Sequence, residues 1–159
     1  MNTDDPLLDR LAADLGAHAH GAGLTVAVAE SLTGGALSAR LAKAENAGEW
    51  FAGGVVGYTN ATKYRVLGVP EGPVVTAEAA RAMAVGVLEL TGADAAVAVT
   101  GVGGPGEEEG RAAGTVFMCT ATRRGTHDFA HAFDGDPEEV VALTIEHALR
   151  HLSGALLSD

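Results

Sequence analysis

The sequence is poor in cationic and aromatic side chains. Its 159 residues include 10 Lys or Arg against 21 Asp or Glu, a formal net charge of −11, and Lys43 and Lys63 are its two lysines. A general nucleic-acid binder needs a basic footprint to neutralise phosphates. Anionic membrane disfavours a surface of this sign for the same reason. Neither nucleic acid nor membrane is therefore expected as a partner. The acidic, lysine-poor composition would suit a high-salt cytosol, where hydrated carboxylates keep a protein in solution. A single cysteine, Cys119, excludes an internal disulfide and a cysteine-based metal site. No apolar run approaches the ~20 residues that span a bilayer. Asp4, Asp5 and Asp9 occupy the region where a secretory signal would carry positive charge, so a cytoplasmic location is expected.

Aromatic residues are only 4% of a chain that is 47% hydrophobic, so Ala, Val and Leu must build the core. A chain of this length makes one domain and buries roughly 70% of the surface it exposes when unfolded. Leu7, Leu8, Leu11 and Leu15 recur at helical spacing from Pro6 to about His20, and Gly21 with Gly23 ends the run. Leu24 to Ala29 reads as a buried strand, Ala36 to about Lys43 as a helix, Gly53 to Thr59 as a second strand and Thr62 to Leu67 as a short helix. Gly68 to Pro73 is rich in turn residues. Thr76 is a plausible N-cap for an Ala-rich helix ending near Gly92. Ala95 to Thr100 is a third buried strand and Gly101 to Gly114 a loop. Thr115 to Thr122 and Thr126 to Phe133 flank Arg123-Arg124-Gly125 as a hairpin. Asp136 caps a last helix with Pro137 at its first position, running to about Leu152. Helix–strand alternation followed by a hairpin predicts an α/β fold with a mixed sheet and helices on both faces.

Three segments have the residues for chemistry. Glu30-Ser31-Leu32-Thr33-Gly34-Gly35 joins the end of a strand to the start of a helix, where open α/β sheets bind ligands. A helix start offers unpaired N–H groups, and two glycines let a ligand approach the backbone. Ser31 is a candidate nucleophile there; the plainer alternative is that Ser31 or Thr33 only caps the helix. Tyr58-Thr59-Asn60-Ala61-Thr62-Lys63 likewise follows a strand and enters a helix. A dehydrated Lys63 would lose proton affinity and act as a base toward a serine; the alternative is a solvated surface lysine. Gly101, Gly103 and Gly106 spell G-x-G-x-x-G after a strand. However, Pro105 interrupts the motif, Glu107 to Glu109 would repel a pyrophosphate, and a strand follows in place of a helix. The dinucleotide reading fails, leaving a loop that either offers N–H groups or merely connects.

The six histidines show no framed metal motif. His147 and His151 stand at i, i+4 on a helix, His18 and His20 are close in sequence, and no carboxylate-containing signature surrounds either pair. They read as solvated helix-face residues, and no metal is assigned. His127 and His131 share one face of a predicted strand without an assigned role. Cys119 reads as a core residue. Arg40 and Arg65 are weaker candidates for contact with an anion than for the surface.

Taken together, Ala29-Glu30-Ser31-Leu32-Thr33-Gly34-Gly35, Tyr58-Thr59-Asn60-Ala61-Thr62-Lys63, Leu67-Gly68-Val69, Val99-Thr100-Gly101-Val102-Gly103-Gly104-Pro105-Gly106 and Gly114-Thr115-Val116 resemble, in order and spacing, the CinA C-terminal domain family. The resemblance covers about residues 7 to 155. It implies a three-layer α/β/α sandwich that deamidates nicotinamide mononucleotide to nicotinate mononucleotide and ammonia, recycling pyridine nucleotide without a cofactor, and that commonly self-associates. Full-length members carry an added N-terminal domain, for which 159 residues leave no room, so the stand-alone form is expected. On the family pattern, Ser31 is the nucleophile, Lys63 the base, and Tyr58 orients Lys63 or relays its proton. Glu30, Thr33, Gly34, Gly35, Asn60, Thr100, Gly101, Gly103 and Gly104 are expected to contact substrate, with the N–H groups of Gly34 and Gly35 binding an oxyanion or a phosphate.

The sequence also departs from the pattern. Leu32 replaces a usual cysteine and Thr100 a usual serine. Glu71 to Thr76 stands in a shorter connection for a usual His-Gly-Ala-Val-Ser. Pro137 follows Asp134-Gly135-Asp136 where an arginine is usual. Two other readings therefore stand beside the amidase: a nucleotide-binding module that has lost turnover, and a protein-interaction role linked to competence or DNA damage.

Overall fold

Ala and Val alternate along the two central strands, and the alternation sorts the molecule into layers. The computed structural model describes residues 4–158. Its elements are α1 (Pro6–Ala22), β1 (Val26–Glu30), α2 (Ala36–Ala42), α3 (Ala47–Trp50), β2 (Phe51–Val56), α4 (Asn60–Leu67), α5 (Ala77–Thr91), β3 (Ala95–Gly101), β4 (Thr115–Thr122), β5 (Gly125–Ala132) and α6 (Pro137–Leu157). The strands form one sheet in the order β2-β1-β3-β4-β5. β1 is parallel to both β2 and β3, and β4 and β5 extend the sheet antiparallel. Side chains alternate faces along a strand. Val26, Val28, Val97 and Val99 therefore join a core with α1, α2 and α6, while Ala27, Ala29, Ala96 and Ala98 join one with α4 and α5. The chain is a three-layer α/β/α sandwich with a mixed sheet, as the sequence predicts.

Local chemistry explains most element ends. The Asp5 carboxylate accepts from the N–H groups of Leu7 and Leu8, with Pro6 in the first turn of α1, and Gly23 closes that helix in the left-handed region. Thr76 accepts from the Ala79 N–H to start α5. Asp136 and Glu139 form a reciprocal capping box at α6. Several boundaries differ from the sequence reading; α6, for one, runs to Leu157 and not to about Leu152, and β2 ends at Val56 and not at Thr59. α3 is an added turn, closed by Trp50, whose buried indole donates to the Glu45 carbonyl at 2.9 Å. β2 begins at Phe51, which pairs with Val26 across a register irregularity. α4 begins at Asn60 because Thr59 supplies the cap, accepting from the Thr62 N–H at 3.3 Å. Among the described residues, no helix is long and apolar enough to cross a membrane.

Candidate active site

The parallel strands β1, β2 and β3 all end on the same side of the sheet. β1 has neighbours on both sides, and its two parallel partners are reached by connections running in opposite directions, so a crevice opens beyond its carboxyl end. A cavity of about 290 Å³ lies there. It brings together Ser31 and Leu32 after β1, Tyr58, Asn60 and Lys63 after β2, and Thr100, Gly101, Gly103 and Gly104 at the end of β3. Val74, Val75, Glu108, Pro137 and Val141 complete its wall. A larger groove of about 700 Å³ runs between residues 67–73 and α5, but it is lined mainly by apolar residues and holds none of these groups.

Lys63 is 2% exposed, so the solvated-lysine reading does not hold. Its Nζ donates to the Tyr58 carbonyl at 3.3 Å. Burial lowers its pKa below the ordinary lysine range, and the carboxylates of Glu108 and Glu109 oppose that shift. Ser31 is 7% exposed, and its hydroxyl has no hydrogen-bond partner among the described residues. Tyr58 contacts Lys63 through its main chain. Its side chain is 69% exposed and its ring lies beside Gly34.

Glu30, Thr33, Gly34 and Gly35 do not line the cavity, and Glu30 explains why. The Glu30 side chain is fully buried and turned into the start of α2. Its Oε1 accepts from the Thr33 hydroxyl at 2.6 Å and the N–H groups of Gly35 and Leu37 at 3.2 and 2.9 Å. Its Oε2 accepts from the Ser38 N–H at 2.9 Å and the Ser38 hydroxyl at 2.6 Å. Neither Ser31 nor Thr33 caps α2; Glu30 reaches forward to do it. The N–H groups of Gly34 and Gly35 are committed as well, to the Ser31 carbonyl and to Glu30, so they are not free for an oxyanion or a phosphate. Leu32, Gly103 and Gly104 line the cavity, and their N–H groups have no partner among the described residues. These N–H groups are available as donors.

The loop after β3 is pinned. Glu108 and Arg111 bridge through their main chains at 3.1 and 2.8 Å. The Glu109 carboxylate accepts from the N–H groups of Val74 and Val75 at 2.8 to 3.1 Å. The Thr100 hydroxyl donates to the Val74 carbonyl at 2.8 Å. Thr100 and Glu109 thus hold one wall of the cavity from both sides of Val74. In the sequence Glu109 reads only as a charge that would repel a pyrophosphate; a glutamate bonding to main chain 34 and 35 residues away leaves no local signal.

Arg40 and Arg65 stay outside the cavity. Arg40 is buried and pairs with Asp9 at 2.6 Å, and Arg65 is exposed. Among the described residues, Lys63 is the one cationic side chain in the wall. Cys119 is fully buried, and burial pushes its thiol up to about 12, which excludes it as a nucleophile at neutral pH. The histidines are not all solvated. His131 of β5 meets His147 and His151 of α6, and all three are half-buried. Burial, then neighbouring histidines, lower His131 below the ordinary range and bring His151 to about 4.

The family model for the CinA C-terminal domain matches residues 8–156. A CinA-like protein of Desulfotalea psychrophila is 40% identical over 143 residues, covering 86% of this chain and 35% of that protein. The chain spans about a third of the length of the curated relatives it matches. Among solved structures, a competence-damaged protein (CinA) superfamily protein from Klebsiella pneumoniae superposes with a TM-score of 0.91 at 31% identity, covering 96% of this chain and 99% of that one. The competence/damage inducible protein CihA from Agrobacterium tumefaciens gives a TM-score of 0.91 at 31% identity, over 98% and 99% of the two chains. Sequence and fold agree over nearly the whole length: the chain belongs to the CinA C-terminal domain family.

Proposed function

We propose that the cavity beyond β1 is the active site of a serine–lysine amidohydrolase, and that its substrate is nicotinamide mononucleotide. The observation that carries this reading is Lys63: a nearly dehydrated amine with lowered proton affinity, in the same small cavity as a serine hydroxyl that no described residue hydrogen-bonds. Such an amine accepts a proton at a pH where an ordinary lysine holds one. Ser31 Oγ attacks the carboxamide carbon as Lys63 takes the hydroxyl proton. The C–N bond then breaks, Lys63 returns the proton to the leaving nitrogen, and ammonia departs. Water attacks the acyl ester by the same proton route, freeing nicotinate mononucleotide and Ser31. The N–H groups of Leu32, Gly103 and Gly104 are the donors for the oxyanion, each worth roughly 3–4 kcal/mol in the transition state when aligned. Asn60, in the first turn of α4, offers an amide for substrate orientation. A cavity of about 290 Å³ is at the small end of ligand sites and suits a mononucleotide better than a polymer.

A second reading is binding without turnover, in a protein that serves a partner in competence or the response to DNA damage. Two observations favour it: Pro137 lines the cavity where the family pattern has arginine, and Glu108 puts a carboxyl in the same wall. The competence and damage names of the structural relatives point the same way.

The experiment is ammonia release from nicotinamide mononucleotide, with calorimetric binding measured in parallel. Under the amidase reading, ammonia forms and Ser31→Ala abolishes release while nucleotide binding persists. Binding with no release by the unaltered protein overturns it in favour of the second reading.

A further inference from the structure

α6 and the edge strand β5 build a second cluster of chemically competent side chains, away from the cavity. His147 and His151 lie one turn apart on α6, and β5 sets His131 against them. One ring nitrogen from each lies within 4.8 Å of the others, and the Nε2 atoms of His131 and His151 are 3.0 Å apart. Nitrogens that share a tetrahedral metal at about 2.0–2.1 Å are about 3.3 Å from one another, so a small ring adjustment closes this set onto one ion. The rings are already held. Phe129 stacks on His151 at 3.6 Å between centroids with an interplanar angle of 13°, and Phe133 stacks on His131 at 4.9 Å and 11°. Phe133 also packs against His147 at 5.1 Å. Two phenylalanines thus fix three imidazoles with their nitrogens converging, which is the preorganisation a metal site requires.

We propose that His131, His147 and His151 form a binding site for one divalent transition metal ion of the zinc, cobalt or nickel type. Three imidazoles and no carboxylate select such ions over magnesium and calcium, which prefer oxygen ligands. Three protein ligands in a half-buried setting leave a coordination position open to water or an exogenous anion. None of the three histidines lines the cavity that holds Ser31 and Lys63, so the site is independent of the proposed amidase.

The test uses the full chain without a histidine tag, stripped with chelator and exchanged into metal-free buffer. Zn²⁺ is titrated by calorimetry, and Co²⁺ by visible absorption. The expected result is one saturable equivalent of Zn²⁺, Co²⁺ bands of a nitrogen-ligated low-coordinate ion, and no displacement by excess Mg²⁺. His131→Ala and His147→Ala each weaken Zn²⁺ binding about tenfold or more. His147→Gln, which keeps most of the ring's volume, weakens it as well, with folding of each variant checked by circular dichroism. The double variant His18→Ala/His20→Ala binds as the unaltered chain does. Absence of a saturable equivalent, displacement by Mg²⁺, or unchanged affinity in folded His131→Ala and His147→Gln overturns the proposal and leaves the cluster as a hydrogen-bonded aromatic stack.

Discussion

Lys63 is held between two opposing effects, and this makes its role measurable. Burial favours the neutral amine, while Glu108 and Glu109 favour the ammonium. If neutral Lys63 is the base, turnover rises with pH as the amine loses its proton, and the rise comes below the ordinary lysine range. Glu108→Gln removes one carboxylate that favours the charged form, so the rising limb moves to lower pH. An unmoved limb in the kcat profile of that variant, or a flat profile in the parent between about pH 6 and 9, removes Lys63 from the base role. Glu30 belongs to the same scale but to another kind of effect. Its carboxylate collects five hydrogen bonds inside the protein, and bonds to a charged group are worth about 1.5–3 kcal/mol each. In Glu30→Gln the amide nitrogen faces a main-chain N–H on whichever side it takes, so at least one bond is lost, and the bonds that remain lose their charge. The expected cost is about 3 kcal/mol in urea unfolding. A change below about 0.5 kcal/mol would mean that the loop reorganises without penalty. Ser31→Ala removes no hydrogen bond to a described residue and leaves stability nearly unchanged, which separates the proposed nucleophile from the glutamate that caps α2.

At the scale of elements, the site depends on how closely α4 lies against α5. Lys63 rides on α4, and α4 meets α5 where Gly86 faces the Leu67 carbonyl; a Cβ at Gly86 would overlap that oxygen. Alanine is the better helix former by about 1 kcal/mol, so propensity alone predicts that Gly86→Ala stabilises. The packing predicts the reverse, because the obstruction is backbone and does not swing aside. Thermal unfolding of the variant should fall, and turnover should fall with it as α4 moves off. An unchanged or raised Tm would show that the two helices separate at no cost. This contact was invisible in the sequence, where Gly86 is one small residue among alanines. What was legible there followed local rules. The alternating strands, the Thr76 cap and the Asp136-Pro137 start of α6 needed only neighbours within a few residues. Ser31 and Lys63 stood out because each follows a strand end and enters a helix, the position at which α/β sheets present chemistry. The residues placed differently from the sequence reading follow no periodic rule. Glu30 reaches forward along its own loop to Thr33, Gly35, Leu37 and Ser38, Glu109 binds the distant Val74 and Val75, and His131 meets a helix that begins after β5 has ended. Period and propensity hold no information about such pairs.

The whole molecule carries its net charge of −11 with few cations to spare. Arg40, Arg81, Arg123 and Arg150 are each within ion-pair distance of an aspartate or glutamate, Lys43 lies near Asp9, and Lys63 is buried. Nucleic-acid binding draws its affinity from cations that displace counterions along the phosphate backbone. Arginines already matched by carboxylates contribute little to that term, and the surplus acid repels the duplex beyond the range of any single contact. If members of this family act in competence or in the response to DNA damage, the charge predicts that this chain does so through a small molecule or a protein partner and not by gripping the duplex itself. The expected outcome is no mobility shift of a short DNA duplex at about 0.15 M salt, where even proteins that bind DNA non-specifically have dissociation constants of 10⁻⁴–10⁻⁶ M. Lowering the salt to about 0.05 M strengthens a basic protein's grip by orders of magnitude, but here it lengthens the reach of a net repulsion. Retention of the duplex that grows as salt is removed would therefore show a basic face assembled between copies of the chain, and would favour the interaction reading over the amidase.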